Sequence, residues 1–299
     1  MQLVDSQTMP DQDLIVKDLG PLSWVMEELR KSFDVSIKGL KRFLLETNAT
    51  QSDLSAFDAG QLRNAKRHFH QVFGALKVLQ IDEAAILADA METVAGKFVQ
   101  RPEMVTEDAI RKLEHASFAV LEYLESLLAS KNASSIGLFV QYRDIKGLAG
   151  FDRVHPADLW VRQPFQWLQP EMLAIRSLDY SLSVRGEIDS ALLKIMQSAD
   201  TTAANELSRL SLSLAQTQTN SKASTFWKIC AAFFEAISQK LIPVDIYAKR
   251  TAAGIVVHYN NLKHGDWVFS DKFMQNMLFL CGQAKIEKRE SSPSWFVVQ

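Results

Sequence analysis

Apolar residues recur at alternating spacings of three and four within residues 61–80, a pattern that places them on one face of a helix. The stripe consists of Leu62, Ala65, Phe69, Val72, Leu76 and Leu79. At roughly 100° per residue these side chains share one side, and a stripe of this width packs into a core. The run contains no acidic residue, so its other face is basic.

The same periodicity predicts four helices in the first 131 residues. They cover about residues 21–48, 53–80, 82–98 and 106–130. Pro21 suits a first helical turn, Pro102 breaks the chain after the third helix, and Thr106 is a favoured N-cap. Four antiparallel helices joined by short turns form an up-and-down bundle.

The chain is thus predicted to be all-α, with an N-terminal four-helix bundle at residues 20–131 and a second helical bundle at residues 170–285. Helices of the second bundle are expected at about 170–184, 188–198, 201–216, 221–240, 243–263 and 270–285. Whether this bundle is a diverged copy of the first remains open. Residues 1–19 are expected to form a flexible N-terminus and residues 286–299 a tail.

Residues 132–169 combine glycines and prolines with several aromatic residues, which indicates an ordered connector. Within it, residues 153–158 read Arg-Val-His-Pro-Ala-Asp. This motif has two interpretations, a catalytic loop or a turn in which Pro156 opens a short helix, and we favour the turn.

Composition narrows the function classes. A net charge of −2 and a pI near 6.3 argue against a nucleic-acid partner. Because no apolar run is long enough to cross a bilayer and the N-terminus lacks the features of a signal peptide, we expect a cytoplasmic protein without membrane insertion. Cys230 and Cys281 are isolated in apolar helices, so buried thiols are expected, with no metal site and no cofactor.

His70 is the candidate for chemistry. It falls about 130° from the middle of the apolar stripe, so its imidazole is expected to face water among cations. An unprotonated imidazole is a nucleophile near neutral pH, and neighbouring cations stabilise an added phosphoryl group. The candidate phosphoacceptor is therefore His70, and the expected binding residues are Arg63, Lys66, Arg67, Phe73, Gly74 and Lys77.

This arrangement resembles the histidine phosphotransfer (Hpt) domain of bacterial two-component signalling. Its motif is a histidine, any residue, an apolar residue, a cation, a glycine and then small residues. The matching positions are His70, Val72, Gly74 and Ala75. The chain departs from the motif where Phe73 replaces the cation, Leu76 and Lys77 replace small residues, and Gln80 replaces the closing glycine.

A wider resemblance covers about residues 18–285. It rests on the segments 18–24, 59–63, 97–103, 141–144, 152–160 and 226–234. Together these are similar to the N-terminal region of chemotaxis-type hybrid histidine kinases that control type IV pili and twitching motility, where the first phosphotransfer-like module is commonly degenerate.

The resemblance implies a phosphorelay module that meets a receiver domain or a histidine kinase core. The alternative is a degenerate scaffold or docking module that binds such partners without carrying phosphate. The chain has no glycine-rich ATP-binding loop, so we do not expect an enzyme, and at most a phosphohistidine carrier. A small helical enzyme, the third possibility, would need a pocket lined by convergent polar groups.

Overall fold

The computed structural model describes residues 19–50, 60–131, 133–160, 177–266 and 270–284. Within these ranges every regular element is a helix and no strand occurs, so the all-α prediction is confirmed. The chain divides between Asp152 and Arg153 into two compact units, which we call the N-terminal unit and the C-terminal unit.

The described residues of the N-terminal unit form one long α-helix and four shorter ones. These are α1 (Gly20–Thr50), α2 (Gly60–Val78), α3 (Asp82–Gln100), α4 (Glu107–Leu128) and α5 (Phe139–Leu148). Helix α2 packs between α1 and α3, α1 also packs on α4, and α5 lies against α3 and α4. The predicted start of α2 near residue 53 lies outside the described residues, as do residues 1–18 and 285–299 of the predicted termini.

The apolar stripe of α2 forms part of the core of this unit. Its buried members are Leu62, Ala65, Phe69, Val72 and Leu76. Leu79, the last member predicted, lies in the turn after the helix and is only half-buried. Thr106 accepts a hydrogen bond from the Ala109 amide at 3.1 Å and fixes the start of α4.

The described residues of the C-terminal unit form five α-helices. These are α6 (Leu182–Ser198), α7 (Thr201–Gln216), α8 (Ser221–Ser238), α9 (Ile246–Lys263) and α10 (Asp271–Gly282). Helix α8 is the central one, because its aromatic side chains Phe226, Trp227, Phe233 and Phe234 are almost completely buried. Each helix begins at a residue whose side chain accepts a backbone hydrogen bond, namely Ser181, Asp200, Asn220, Asp245 and Ser270.

The prediction of a helix at residues 170–184 is wrong for residues 177–181, which are described and are not helical. The break predicted between residues 184 and 188 is also wrong, because α6 runs through it without interruption. The Tyr259 hydroxyl donates to the Ser181 carbonyl at 2.9 Å and lies 3.0 Å from the Ser181 amide. Ser181 in turn caps α6 by accepting from the Val184 amide. These bonds hold the segment outside a helix and start α6 at Leu182. Residues 161–176 lie outside the described residues.

Candidate functional site

The His70 side chain lies on the face of α2 opposite the buried stripe, and 65% of its surface is accessible. The stripe fixes this orientation, since turning the helix would expose Phe69 and Leu76, which are completely buried. The imidazole is therefore held at a defined place on the surface of the N-terminal unit.

A carboxylate from the next helix contacts this imidazole. Nδ1 of His70 lies 2.9 Å from Oε2 of Glu92 on α3. Glu92 is itself only 20% accessible, so its position is fixed by packing. Sequence reasoning missed this residue, because it considered only the side chains that His70 meets along α2.

The contact with Glu92 determines which nitrogen of the His70 ring carries the hydrogen. An ionised carboxylate can only accept hydrogen bonds, so the contact requires Nδ1 to carry the hydrogen. In the neutral ring Nε2 then keeps its lone pair and is the nucleophilic atom. The same use of a carboxylate to select a tautomer of histidine occurs in hydrolase triads.

A signal for Glu92 does exist in the sequence. Helices α2 and α3 are antiparallel across the turn at Ile81, and residues equally far from that turn face each other. His70 and Glu92 both lie eleven residues from Ile81. Lys66 and Gly96 both lie fifteen residues away, and Cε of Lys66 lies 3.7 Å from where a Cβ on Gly96 would stand.

The predicted cations are distributed rather than gathered at His70. Lys77 pairs with Asp82 in the first turn of α3, with Nζ 2.5 Å from Oδ1. Arg67 donates to the Asn64 side chain at 2.5 Å. Arg63 and Lys66 are exposed, and Lys66 extends along α3. The charge of Lys77 is thus engaged by Asp82. Like Glu92, Asp82 lies on α3 and not on α2.

Phe73 and Gly74 shape the surface beside His70. The rings of His70 and Phe73 are tilted by 44°, with centroids 6.4 Å apart, and Phe73 is partly buried. A Cβ added to Gly74 would meet no atom of the described residues within 4 Å. Packing inside the unit therefore does not require glycine at this position, and the space beside His70 is open.

The other described histidines have different surroundings. Nδ1 of His68 is buried and has no hydrogen-bond partner within the described part of the chain. His115 is exposed on α4. His258 packs against Phe226 and Phe273, and burial lowers its pKa. In the described ranges no three or more His, Cys, Asp or Glu side chains are grouped so that they could hold a metal ion.

In the 153–158 motif, Pro156 opens a short 3-10 helix, Pro156–Leu159, as the favoured interpretation predicts. His155 begins it, because its Nδ1 accepts from the Ala157 amide at 3.1 Å while Asp158 accepts from the His155 amide. Its ring packs edge-on against Tyr247 and Phe279. Burial lowers the pKa of His155 to about 4, so the ring is neutral at physiological pH and serves packing and capping.

Both cysteines are free and buried, as their apolar surroundings predict. Burial raises the pKa of Cys281 to about 12 and that of Cys230 as well, which leaves both thiols protonated. Sγ of Cys230 lies 4.0 Å from the sulfur of Met277, a contact of the core.

A groove of about 650 Å³ lies between α6 and α7. Its floor includes the small residues Gly186, Ser190 and Ala191. Its charged residues carry both signs, and they are Glu187, Lys194, Glu206 and Arg209. The groove therefore does not select one kind of charged ligand.

Fold and site together describe a helical protein with a carboxylate-paired imidazole on one unit and a densely packed aromatic core in the other. In a comparison with protein families, the family described as FimL scaffold protein second domain matches residues 176–294, within the C-terminal unit. No curated protein and no solved structure matches the chain.

The family match bears on the resemblance inferred from the sequence. It is consistent with a scaffold related to pili and chemotaxis, and it gives no support to an Hpt domain or a hybrid kinase. Within the described residues no helix is both long and apolar enough to cross a membrane.

Proposed function

We propose that this chain is a scaffold or docking module of a bacterial chemosensory system that controls type IV pili, acting in the cytoplasm and without enzymatic activity. The match of residues 176–294 to the second domain of a scaffold protein is the observation that carries this proposal. The sequence resemblance to pilus-controlling kinases supplies the link to twitching motility.

In this proposal the face of α2 around His70 is a docking surface of the N-terminal unit for a receiver domain or a kinase core. Gly74 supports it, because open space at a helix glycine lets a partner approach closely. Phe73 adds an apolar contact beside the exposed imidazole. Arg63, Lys66 and Arg67 provide positive charge that would attract the acidic pocket of a receiver domain.

Phosphotransfer through His70 is a second candidate function, and the Glu92 contact specifically favours it. A carboxylate that holds the hydrogen on Nδ1 leaves Nε2 ready to attack a phosphoryl group, and it stabilises the positive charge that the ring then acquires. Against it stands Phe73, which occupies the position of the cation in the phosphotransfer motif. We place this function second for that reason.

One experiment separates the two functions. The full chain is mixed with a phosphorylated cognate receiver domain, and separately with an isolated kinase core and ATP. Binding of the receiver domain and of the kinase core is measured by calorimetry, and acid-labile phosphate on the chain is followed for the wild type, His70→Gln and His115→Gln. His115 is the matched control, because it is exposed on α4 of the same unit.

For a scaffold we expect receiver binding by all three proteins and phosphate on none of them. Phosphate on the wild type and on His115→Gln, but not on His70→Gln, would establish phosphotransfer instead. A chain that neither binds the receiver domain or kinase core nor accepts phosphate would overturn both proposals.

A further inference from the structure

An exposed phenylalanine is held at the end of α5 in the N-terminal unit. Phe151 is 52% accessible, although a phenylalanine of a folded domain usually contributes to the core. Phe33, Phe69 and Phe98 of the same unit are at most 2% accessible, whereas Phe118 on α4 is 62% accessible. What distinguishes Phe151 is therefore not its exposure alone but the way in which its backbone and ring are held.

The backbone on which Phe151 stands is fixed. The Phe151 amide donates to the Lys146 carbonyl at 2.9 Å, and the Gly150 amide donates to the Gly147 carbonyl at 2.9 Å. Gly150 adopts a φ of 79°, which favours glycine, and these features together form a Schellman motif. In this motif the residue after the glycine usually packs against the last turn of the helix, and here it does so against a lysine.

Two ammonium groups lie over the Phe151 ring. Nζ of Lys146 is 4.7 Å from the ring centroid, and Nζ of Lys97 is 5.8 Å from it. Lys97 also donates to the carbonyl of Ala149, the C-cap residue of α5. Cations from two helices thus contact the ring, and both the backbone and the ring are preorganised for contact.

Neither lysine forms an ion pair with a carboxylate in the described part of the chain. Their charges therefore remain available to a negatively charged group. Asp152, which follows Phe151 in the sequence, is an exposed acidic residue. The Asp144 carboxylate pairs with Arg143 at 3.2 Å. A fixed aromatic surface flanked by two unpaired cations suits a segment that presents carboxylates beside an apolar side chain.

We propose that Phe151, Lys97 and Lys146 form a second contact surface of the N-terminal unit, which binds an acidic peptide segment of a partner protein through one apolar anchor and adjacent carboxylates. The apolar anchor packs on the exposed part of the Phe151 ring, and the carboxylates pair with the two ammonium groups. This surface goes beyond the docking role of the His70 face and does not depend on it.

The test uses the full chain and a fluorescein-labelled peptide that alternates glutamate with leucine and phenylalanine. A peptide with lysine in place of glutamate is the charge-reversed probe, and a single-stranded oligonucleotide of the same net charge as the acidic peptide is the third. Binding is measured by fluorescence anisotropy for the wild type, Phe151→Ala, Lys146→Met and the control Phe118→Ala. Phe118 is the matched control, because it is an exposed phenylalanine of the same unit, 62% accessible on α4.

We expect the acidic peptide to bind the wild type and Phe118→Ala equally. Phe151→Ala should weaken binding about ten-fold or more, as removal of a central aromatic anchor does. Lys146→Met should weaken it about three-fold or more, and added salt should weaken wild-type binding. Circular dichroism of each variant shows whether the fold is kept.

Four results would overturn the proposal. One is absence of binding by the acidic peptide, and another is equal binding of the acidic and basic peptides. The third is tighter binding of the oligonucleotide, which would make this a nucleic-acid surface. Equal affinities of the wild type and a folded Phe151→Ala variant would likewise count against it, whereas failure of the receiver to bind the His70 face would leave this surface intact.

Discussion

The N-terminal and C-terminal units place histidine in opposite environments. His70 is exposed on α2 and paired with the Glu92 carboxylate. His155 is 94% buried, caps a 3-10 helix through Nδ1, and packs against two aromatic rings. Its Nε2 is buried without a hydrogen-bond partner in the described residues.

The difference shows what makes a histidine available for chemistry. A nucleophilic nitrogen must be reachable and must keep its lone pair, and the Glu92 contact leaves Nε2 of His70 in that state. His155 uses the lone pair of Nδ1 for capping and buries Nε2, so its ring contributes to stability. Substitutions in the C-terminal unit should therefore change stability, whereas substitutions around His70 should change the state of its ring or its contact with a partner.

Acidification should remove stability that His155 provides. Burial lowers its pKa in the folded state to about 4 from 6.5, so the folded state favours the neutral ring. The contribution is therefore complete above pH 6.5 and is lost as the pH falls towards 4. The shift corresponds to about 3 kcal/mol, which partial access of water reduces to about 2 kcal/mol.

Some of the charged groups around His155 raise its pKa and others lower it. Asp158 and Asp245 raise its pKa, whereas Lys272 and Arg250 lower it, and burial outweighs all four. Urea unfolding followed by tryptophan fluorescence is the measurement, since five of the six tryptophans lie beyond residue 153. His155→Asn keeps a capping side chain and should flatten this pH dependence; an unchanged profile in the variant would assign the acid sensitivity to other groups.

Gly254→Ala should destabilise the C-terminal unit by about 1–3 kcal/mol. An added Cβ would overlap Cε2 of Phe273, whose ring packs against Phe226 and His258. Because these contacts hold the ring in place, we expect the added methyl group to push α9 and α10 apart. The control is Gly186→Ala in α6, where a Cβ meets nothing within 4 Å and alanine should stabilise the helix. Equal stability of the two variants would show that Phe273 moves freely.

Periodicity predicted most of the fold because each helix buries one apolar side, as the stripe of α2 illustrates. It failed at residues 177–181, since the Tyr259 hydrogen bonds that hold Ser181 join residues far apart in the sequence. In the candidate site, too, the sequence pattern of one helix predicted some features, and contacts between helices supply the others. The exposure of His70 follows from α2 alone, whereas Glu92 and Asp82 come from α3 and require the pairing of two helices.

Glu92→Gln should change the tautomer of His70 while leaving the fold intact. The carboxylate favours hydrogen on Nδ1 through a charge-assisted hydrogen bond, and the amide of glutamine favours it much less. We expect the ratio of the two neutral tautomers to change about ten-fold, which corresponds to about 1.4 kcal/mol. Nitrogen-15 NMR of the imidazole measures it directly.

Glu122→Gln, at an exposed position of α4, is the control for the tautomer measurement. Unfolding should show a loss of at most about 1 kcal/mol for Glu92→Gln, because the His70 side of the pair is exposed. A His70 tautomer ratio that is the same in the wild type and in Glu92→Gln would mean that the carboxylate does not set the state of the ring in solution.

Gly74→Ala should have the smallest effect on the stability of the unbound chain. Whether it stabilises or destabilises the chain shows whether packing requires this glycine. Alanine is favoured over glycine inside a helix by about 1 kcal/mol, and the new methyl group meets no neighbour, so thermal unfolding should shift upwards. Gly74→Leu should also fold, yet its side chain fills the space beside His70 and should weaken receiver binding. Stable folding with weakened binding would show that this glycine serves a partner, whereas destabilisation by alanine would show that packing within α2 and its neighbours requires it.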